Sequence, residues 1–367
     1  MRTAIIIGGG VLGSALFRDL GRRGVSVRLA DAPGVASSFH SFSWINAAAR
    51  TDPDYYALRL QGMVRHLLHS VPLGLARFGG VLSWDGRGRI EPVQGAKEAE
   101  TVVSAHRRLI DAGHLSELLD RAGALDVDRS LNPAALPDEG IQFSGDEGWV
   151  DLPGLVRHLR SAGVRAGGTV FRGEVRPSLS PAGDRVDGVI LPDGGRVAAD
   201  AVIVAAGADT YRILAEAGLA VPDDNSVGVI ARSRPIDHRR PTAIVRSPDV
   251  CVRPGSRDTV TFHSTVAEEG LGPVDEVSEE QLTAGASAML EHVRHLYDAP
   301  EIELDRAVVV RRPVPGDGLP VVGQAGVANL HVLASHSGAT VALVLAEMLG
   351  RELVTGVESA LLARFRP

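Results

Sequence analysis

The chain has little cysteine, few aromatic residues, no long basic run and no long apolar run, and each shortage removes a class of protein. A single cysteine, Cys251, excludes an intrachain disulfide and a zinc site built from several thiolates, and it fits a reducing compartment. Net charge is −7 and Lys and Arg are not clustered. Sequence-independent nucleic-acid binding needs such clusters against phosphates, so no nucleic-acid partner is expected. No apolar run approaches the roughly 20 residues that span a bilayer. The N-terminal run Ala4–Ile7 breaks at once into Gly8-Gly9-Gly10, unlike a secretion signal. A cytoplasmic protein with no membrane partner is the expectation. Aromatics make up only 4%, whereas glycine is abundant, 42 of 367 residues against roughly 7% in average chains. That excess points to tight turns and close backbone approaches, as nucleotide sites need. The length allows two domains of ordinary size.

Residues 2–31 read RTAIIIGGGVLGSALFRDLGRRGVSVRLAD. Ala4–Ile7 is a short continuous apolar strand of the kind buried in a parallel sheet. Gly8-x-Gly10-x-x-Gly13 follows, then a helix with Leu12, Ala15, Leu16 and Leu20 on one face, stopped by Gly24. Val25–Ala30 is a second strand, ending at Asp31. This is a βαβ unit with a dinucleotide fingerprint. Its first glycine permits the tight turn, the second admits a pyrophosphate against the backbone, and the third lets helix and strand pack closely. The N–H groups and dipole of the helix start favour anionic phosphates. Asp31, 18 residues after Gly13, stands where a carboxylate accepts from ribose hydroxyls. The fingerprint alone does not separate FAD from NAD.

Apolar spacing predicts further helices at Asp54–Ser70, Ala96–Ala112, Ser116–Leu125, about Ser278–Tyr297 and Gly338–Gly350, and one through Leu155, Val156 and Leu159. Strands are predicted at Thr169–Arg172, at Val186–Leu191 and Arg196–Ala198 as a hairpin, and at Ala201–Ala205, Ala307–Val310 and Asn329–Ala334. Residues 227–265 alternate as short, half-exposed antiparallel strands. Near the C-terminus, RRPVPGDGLPVVG (311–323) places two arginines before a run of prolines and glycines, a turn signal between two strands. Arg311 and Arg312 point to opposite sides by strand alternation. His292 and His295 have metal-capable helical spacing, but no third ligand accompanies them and no metal is expected.

Four stretches together resemble the flavin-dependent D-amino-acid oxidase superfamily, which includes glycine oxidases, sarcosine oxidases and bacterial D-amino-acid dehydrogenases. They are IIIGGGVLG with Asp31, EGWVDLPGLVRHL, DGGRVAADAVIVAAGAD, and RRPVPGDGLPVVG followed by NLHVLASHSGATVAL. The resemblance implies an α/β fold in which a Rossmann-like FAD-binding domain (1–40, 145–225 and 305–367) is interleaved with a substrate domain (41–144 and 226–304). The substrate domain is expected to be a mainly antiparallel sheet carrying helices. FAD is expected, extended along glycine-rich strand ends at 8–13, 205–207 and 335–338. No cysteine lies in the C-terminal region where some sarcosine oxidases attach flavin, so the FAD is expected to be non-covalent.

Flavin amine oxidation asks three things of the protein: a grip on the substrate carboxylate, stabilisation of negative charge on the flavin, and a neutral amine. Arg312 matches the family's substrate arginine, and a guanidinium fork suits a carboxylate. The helix start at Ser337, Gly338, Ala339 and Thr340 offers its positive end, with His336 beside it. Expected cofactor contacts are Gly8, Gly10, Val11, Leu12, Gly13, Asp31, Ala32, Ser37, Ser38, Val175, Ala205, Ala206, Gly207, Arg312 and residues 337–340. Trp44 and Asn46 are candidates for the pocket wall. The family often places tyrosines over the substrate from the antiparallel sheet, yet residues 227–265 contain none. Their polar candidates include Arg253 and His263; facing inward, these would suit a substrate with a second anionic or polar group. Plain glycine or sarcosine is therefore a poor expectation. The expected partners are an amino acid or amine and either oxygen or an electron carrier. Oxidation of a 2-hydroxy acid, or dinucleotide binding without catalysis, are the alternatives.

Overall fold

The computed structural model describes every residue except 35, 48–51, 85–88, 91–99, 220, 224–225, 238–239 and 270. Two large sheets organise it. The first has the strand order Thr169–Arg172, Ser26–Asp31, Thr3–Ile7, Ala201–Val204, Leu330–Ala334, Val321–Gln324. Neighbours run parallel except the last pair. Each central strand is apolar on both faces because both are covered, as parallel sheets require. Ala4, Ile6, Leu29, Ile203 and Leu333 pack with helices Val11–Arg22, Leu152–Arg165 and Gly338–Thr355. Ile5, Ile7, Val202, Val204 and Val332 pack on the other side, with Tyr211, Ile213 and Leu214 of helix Thr210–Glu216.

The helices close tightly on one another where glycine removes a side chain. Gly163 lets helix Leu152–Arg165 meet the ring of Phe17, and Gly62 lets helix Pro53–His69 meet the Thr340 carbonyl of the C-terminal helix; a Cβ at either position would overlap its neighbour. Helix starts are capped by acids. The Asp52 side chain accepts from Tyr55 N at 2.9 Å and Asp151 from Gly154 N at 3.1 Å, each with proline in the first turn.

The second sheet has the order Leu304–Arg312, Ser226–Ser233, Val260–His263, Cys251–Pro254, Ile244–Arg246, Val81–Ser83, Ile141–Ser144, Ser116–Leu119. It is antiparallel except that Ile244–Arg246 runs parallel to Val81–Ser83. Its outer face packs Val229, Ala231, Val245, Val252 and Phe262 against Met289, Val293 and Leu296 of helix Glu279–Tyr297. That helix opens with a capping box between Ser278 and Gln281. The inner face is mixed, with Phe42, Trp149, Val81 and Ile244 forming a small apolar cluster among charged residues.

Several expectations need correction. Ser116–Leu125 is not one helix. Ser116–Leu119 pairs with Ile141–Ser144 as an edge strand, and Asp120 then caps a separate helix, Arg121–Val127. A short apolar run does not distinguish the two states, and the pairing partner selects strand. The predicted helix Ala96–Ala112 covers Val102–Asp111; residues 96–99 lie outside the described residues. Strand Leu304–Arg312, expected to belong to the nucleotide domain from residue 305, lies in the second sheet against Ser226–Ser233. A strand at Arg176–Leu179 was not expected; it pairs with Val186–Ile190 beside the predicted hairpin.

Candidate functional site

The carboxyl ends of four adjacent parallel strands stop at Asp31, Gly8, Ala205 and Ser335 along one edge, so the three glycine-rich strand ends converge. A Cβ on Gly8, whose φ is +111°, would overlap the Ala205 carbonyl, and one on Gly13 would overlap the Gly8 carbonyl. The two glycines therefore let strand, turn and helix close on each other. A Cβ on Gly10 would meet only Ser38 Oγ, at 3.1 Å, and Gly207 (φ +62°) has nothing within 4 Å of such a position. Gly207 thus borders open space, and Gly10 leaves room for the Ser38 hydroxyl. Val11 N donates to Ser38 Oγ at 3.0 Å. Leu12 is buried next to it. Asp31 is held by Arg160 at 2.8 Å, and Arg160 also donates to the Gly9 carbonyl. Ala32 is exposed just beyond Asp31, while Val175 is buried in the core on the sheet's second face. Glycine-lined backbone, a helix start and a terminal carboxylate are the donor set a dinucleotide needs, and these residues fit FAD.

The first turn of the C-terminal helix is fixed from two directions. Thr340 Oγ1 donates to the Trp44 carbonyl at 3.2 Å and accepts from Asn46 N at 3.3 Å. His66 Nε2 donates to the Ala339 carbonyl at 2.7 Å while its Nδ1 accepts from Ser70 at 3.0 Å. Burial pushes the His66 imidazole down to about 4, so it is neutral. Ser337 stands at the N-cap position, where its side chain makes no capping hydrogen bond, with His336 half-buried in the preceding turn. Loop 44–47 is anchored in turn by Glu147, which accepts from Trp44 Nε1 and Ala47 N, both at 3.0 Å, and by Arg59, which donates to the Asn46 carbonyl at 2.8 Å.

Ser37 joins the two sheets. Its hydroxyl donates to the Arg311 carbonyl at 2.7 Å, one residue from Ser38 at the nucleotide end. Arg311 and Arg312 do point to opposite sides. Arg311 pairs with half-buried Asp209 at 2.6 Å. Arg312 turns inward, lies across Gly228, and forks onto Glu268, with Nη1 2.8 Å from Oε2 and Nη2 bonded to Oε1. A Cβ on Gly228 would stand 2.5 Å from Arg312 Nε. Glu268, only 8% exposed, also accepts from Val229 N at 2.9 Å. Its carboxylate substitutes for a strand partner where pairing of Ser226–Ser233 with Val260–His263 stops.

Arg253 is buried on the same inner face, over the Trp149 ring at 4.7 Å. It donates to the carbonyls of Ser41, Phe42 and Pro254 and so fixes the loop leading to Trp44. Burial pushes its guanidinium down to about 9, with Asp151 opposing. His263 packs edge-on against Phe42 at 4.7 Å. Burial, then Arg312 and Arg246, hold it down to about 3, and its buried Nδ1 has no hydrogen-bond partner among the described residues. Sequence reasoning missed Glu268, Glu147, Arg160, His66 and Gly228. Only Glu147, an acid directly before an apolar strand, carried a local signal. His292 and His295 are exposed, and the described residues contain no group that could hold a metal ion. No helix among them is long and apolar enough to cross a membrane.

The chain matches the model of the family described as DAO, FAD dependent oxidoreductase, over residues 3–352. It is 24% identical to a D-amino acid dehydrogenase of Rhizobium rhizogenes, covering 80% of this chain and 70% of that one. It is 25% identical to a glycine oxidase of Geobacillus kaustophilus, over 87% and 83% of the two chains. In three dimensions it resembles iminodiacetate oxidase of Chelativorans sp. BNC1 with a TM-score of 0.81 and 22% identity, covering 99% and 98%. At that identity the structural likeness speaks for the fold. With the family model spanning nearly the whole chain, over a site whose backbone fits the cofactor, this protein belongs to the DAO family of FAD-dependent oxidoreductases.

Proposed function

We propose that the chain holds FAD non-covalently and oxidises a carbon–nitrogen bond of an amino acid or secondary amine. One observation carries the reading: Ser37 and Ser38 tie the nucleotide end at Val11 to the strand end that presents Arg312. A dinucleotide site and an inward-facing guanidinium are thereby brought to one place. When bound, FAD supplies the hydride acceptor for the carbon bearing nitrogen, and the resulting imine hydrolyses. Gly8, Gly10, Gly13, Val11 and Leu12 receive its pyrophosphate, and Asp31 its ribose. The start of helix Gly338–Thr355 presents backbone N–H groups to accumulating negative charge. Arg312 takes the substrate carboxylate in exchange for Glu268, the same chemical group supplied by the chain itself. Trp44, Phe42 and Trp149 exclude water around the reacting carbon. The D-amino acid dehydrogenase and glycine oxidase relatives agree with this reading.

The test is a visible spectrum of the purified protein, followed by anaerobic addition of amino acids, secondary amines and 2-hydroxy acids. A yellow protein bleached by amines is expected. A colourless protein that cannot be reconstituted with FAD overturns the reading, and bleaching by hydroxy acids alone replaces it with hydroxy-acid oxidation. Recovery of colour in air, or only with an added electron carrier, separates oxidase from dehydrogenase. Arg312→Ala is expected to raise KM about tenfold or more with flavin content unchanged, from loss of a charge-assisted contact. Loss of flavin would instead make Arg312 a cofactor residue.

A further inference from the structure

We propose that the outer side of helix Pro53–His69 docks on an anionic lipid surface, its apolar stripe meeting acyl chains and the arginine-lined cleft beside it meeting headgroup phosphates. None of these residues is among those assigned above to flavin or substrate. Leu58, Gly62 and His66 turn one side of the helix inward. That side packs on helix Gly338–Thr355 and on the turn Ala360–Phe365. At 3.6 residues per turn, positions 64, 67, 68 and 71 lie on the opposite side. Val64, Leu67, Leu68 and Val71, with Leu73 just beyond, are all exposed, Leu67 by 50% and Leu68 by 65%. The outer side of a helix in a globular protein ordinarily carries polar residues. Large aliphatic side chains crowded into residues 64–73 form one patch rather than scattered exposure, and such a patch marks an interaction surface.

The charge beside the patch identifies the occupant. Arg65 and His69, one turn apart, form the row next to Val64 and Leu68. His69 lines a cleft with Arg18, Arg22 and Arg23, over Ala15, Leu343 and Ala346. The carboxylates of the cleft are already engaged: Asp19 pairs with Arg23 at 2.6 Å and Glu347 with Arg65 at 3.1 Å. Arg18 and Arg22 have no acid partner of their own among the described residues. Burial, and then Arg22 one turn on, lower the basicity of half-buried Arg18, with Asp19 and Glu347 opposing. A phosphate between the two guanidinium groups relieves that repulsion and matches their planar forks. In a chain of net charge −7 the cleft is a local positive field, which selects an anionic surface. A second copy is disfavoured, because symmetric contact would bring the same arginines to one seam. A folded protein partner is disfavoured too, since residues 64–73 contain no Phe, Tyr or Trp to anchor it. An aliphatic stripe flanked by basic residues is what lies in a lipid interface. The lack of a long apolar run bears on crossing a bilayer, not on resting against one.

The experiment is co-sedimentation of the purified flavoprotein with vesicles of phosphatidylcholine, alone or mixed with phosphatidylglycerol, at low and high salt. Binding to the anionic vesicles is expected to be about tenfold or more stronger than to the neutral ones, and to weaken as salt is added. The double variant Leu67→Gln/Leu68→Gln, at exposed positions, is expected to weaken it about tenfold. Arg18→Gln/Arg22→Gln is expected to weaken it about thirtyfold, the loss of two cations near an anionic surface. Flavin content should be unchanged in both. Arg22→Glu, at an exposed position, repeats the charge test should the arginine pair be needed for folding. No binding to anionic vesicles, equal binding to both kinds, or binding that survives the substitutions overturns the inference. So does a dimer in sedimentation velocity that Leu67→Gln/Leu68→Gln dissociates, which would make a second copy the occupant. If anionic vesicles are bound but no amine bleaches the flavin, amine oxidation falls and this surface stands.

Discussion

At the edge of the parallel sheet the candidate site is made of backbone: glycine turns, helix starts and strand ends. On the inner face of the antiparallel sheet it is made of side chains: Arg312 forked onto Glu268, Arg253 on loop carbonyls and His263 against Phe42. A methyl group added in each place shows the difference. At Gly13 it would overlap a main-chain carbonyl that cannot move without the turn moving. At Gly228 it would meet a guanidinium, the far end of a flexible side chain. The nucleotide region is therefore rigid by construction and tied to folding. The strand around Gly228 is expected to tolerate a change that the turn at Gly13 does not.

Gly13→Ala should have the largest effect. Stability in urea is expected to fall by at least about 2 kcal/mol, with flavin lost from the purified protein. Native stability with full flavin would show that this backbone is not rigid, and the contrast would fail. Gly228→Ala should change stability by less than about 1 kcal/mol, since alanine suits a strand at least as well as glycine. It should nonetheless raise KM about tenfold by displacing Arg312, as Arg312→Ala does. A substitution that unfolds the chain would make the second region as rigid as the first.

The smallest effect concerns two histidines held neutral by burial, one in each region. His66 is partnered on both nitrogens and His263 is not on Nδ1. Both are neutral in the folded chain, His66 pushed down to about 4 and His263 to about 3 by burial. The unfolded chain takes up the proton near 6.5, so between that pH and the folded value it binds more protons. Their contribution is full above 6.5 and shrinks as pH falls. Each should lose about 1 kcal/mol of stability between pH 6.5 and 5.5. His66→Gln should flatten the urea-derived profile by that amount. An unchanged slope in His66→Gln would mean that His66 is charged.

The nucleotide half was readable because backbone geometry leaves marks in sequence. Only glycine fits Gly8 at φ +111° or Gly13 beneath the Gly8 carbonyl, so spacing alone located the turn. The strand bounds and the terminal acid, Asp31, followed from the same pattern. The substrate half was much less readable. Arg253 and His263 could be named as candidates, but Glu268 sits in an exposed-looking run, VAEEG, with nothing to mark it as the acid on Arg312. Ser116–Leu119 gave no sign that it would pair with Ile141–Ser144.

By itself, then, the sequence determined the βαβ unit, the glycine-rich ends of its strands and the opposite facing of Arg311 and Arg312. These depend on contacts near in the chain and on fixed periodicities of strand and helix. Only the tertiary structure settled which arginines share one face and what holds them. Arg246, His263 and Arg312 come together through register between distant strands, and a slip of one residue would turn each of them to the other side.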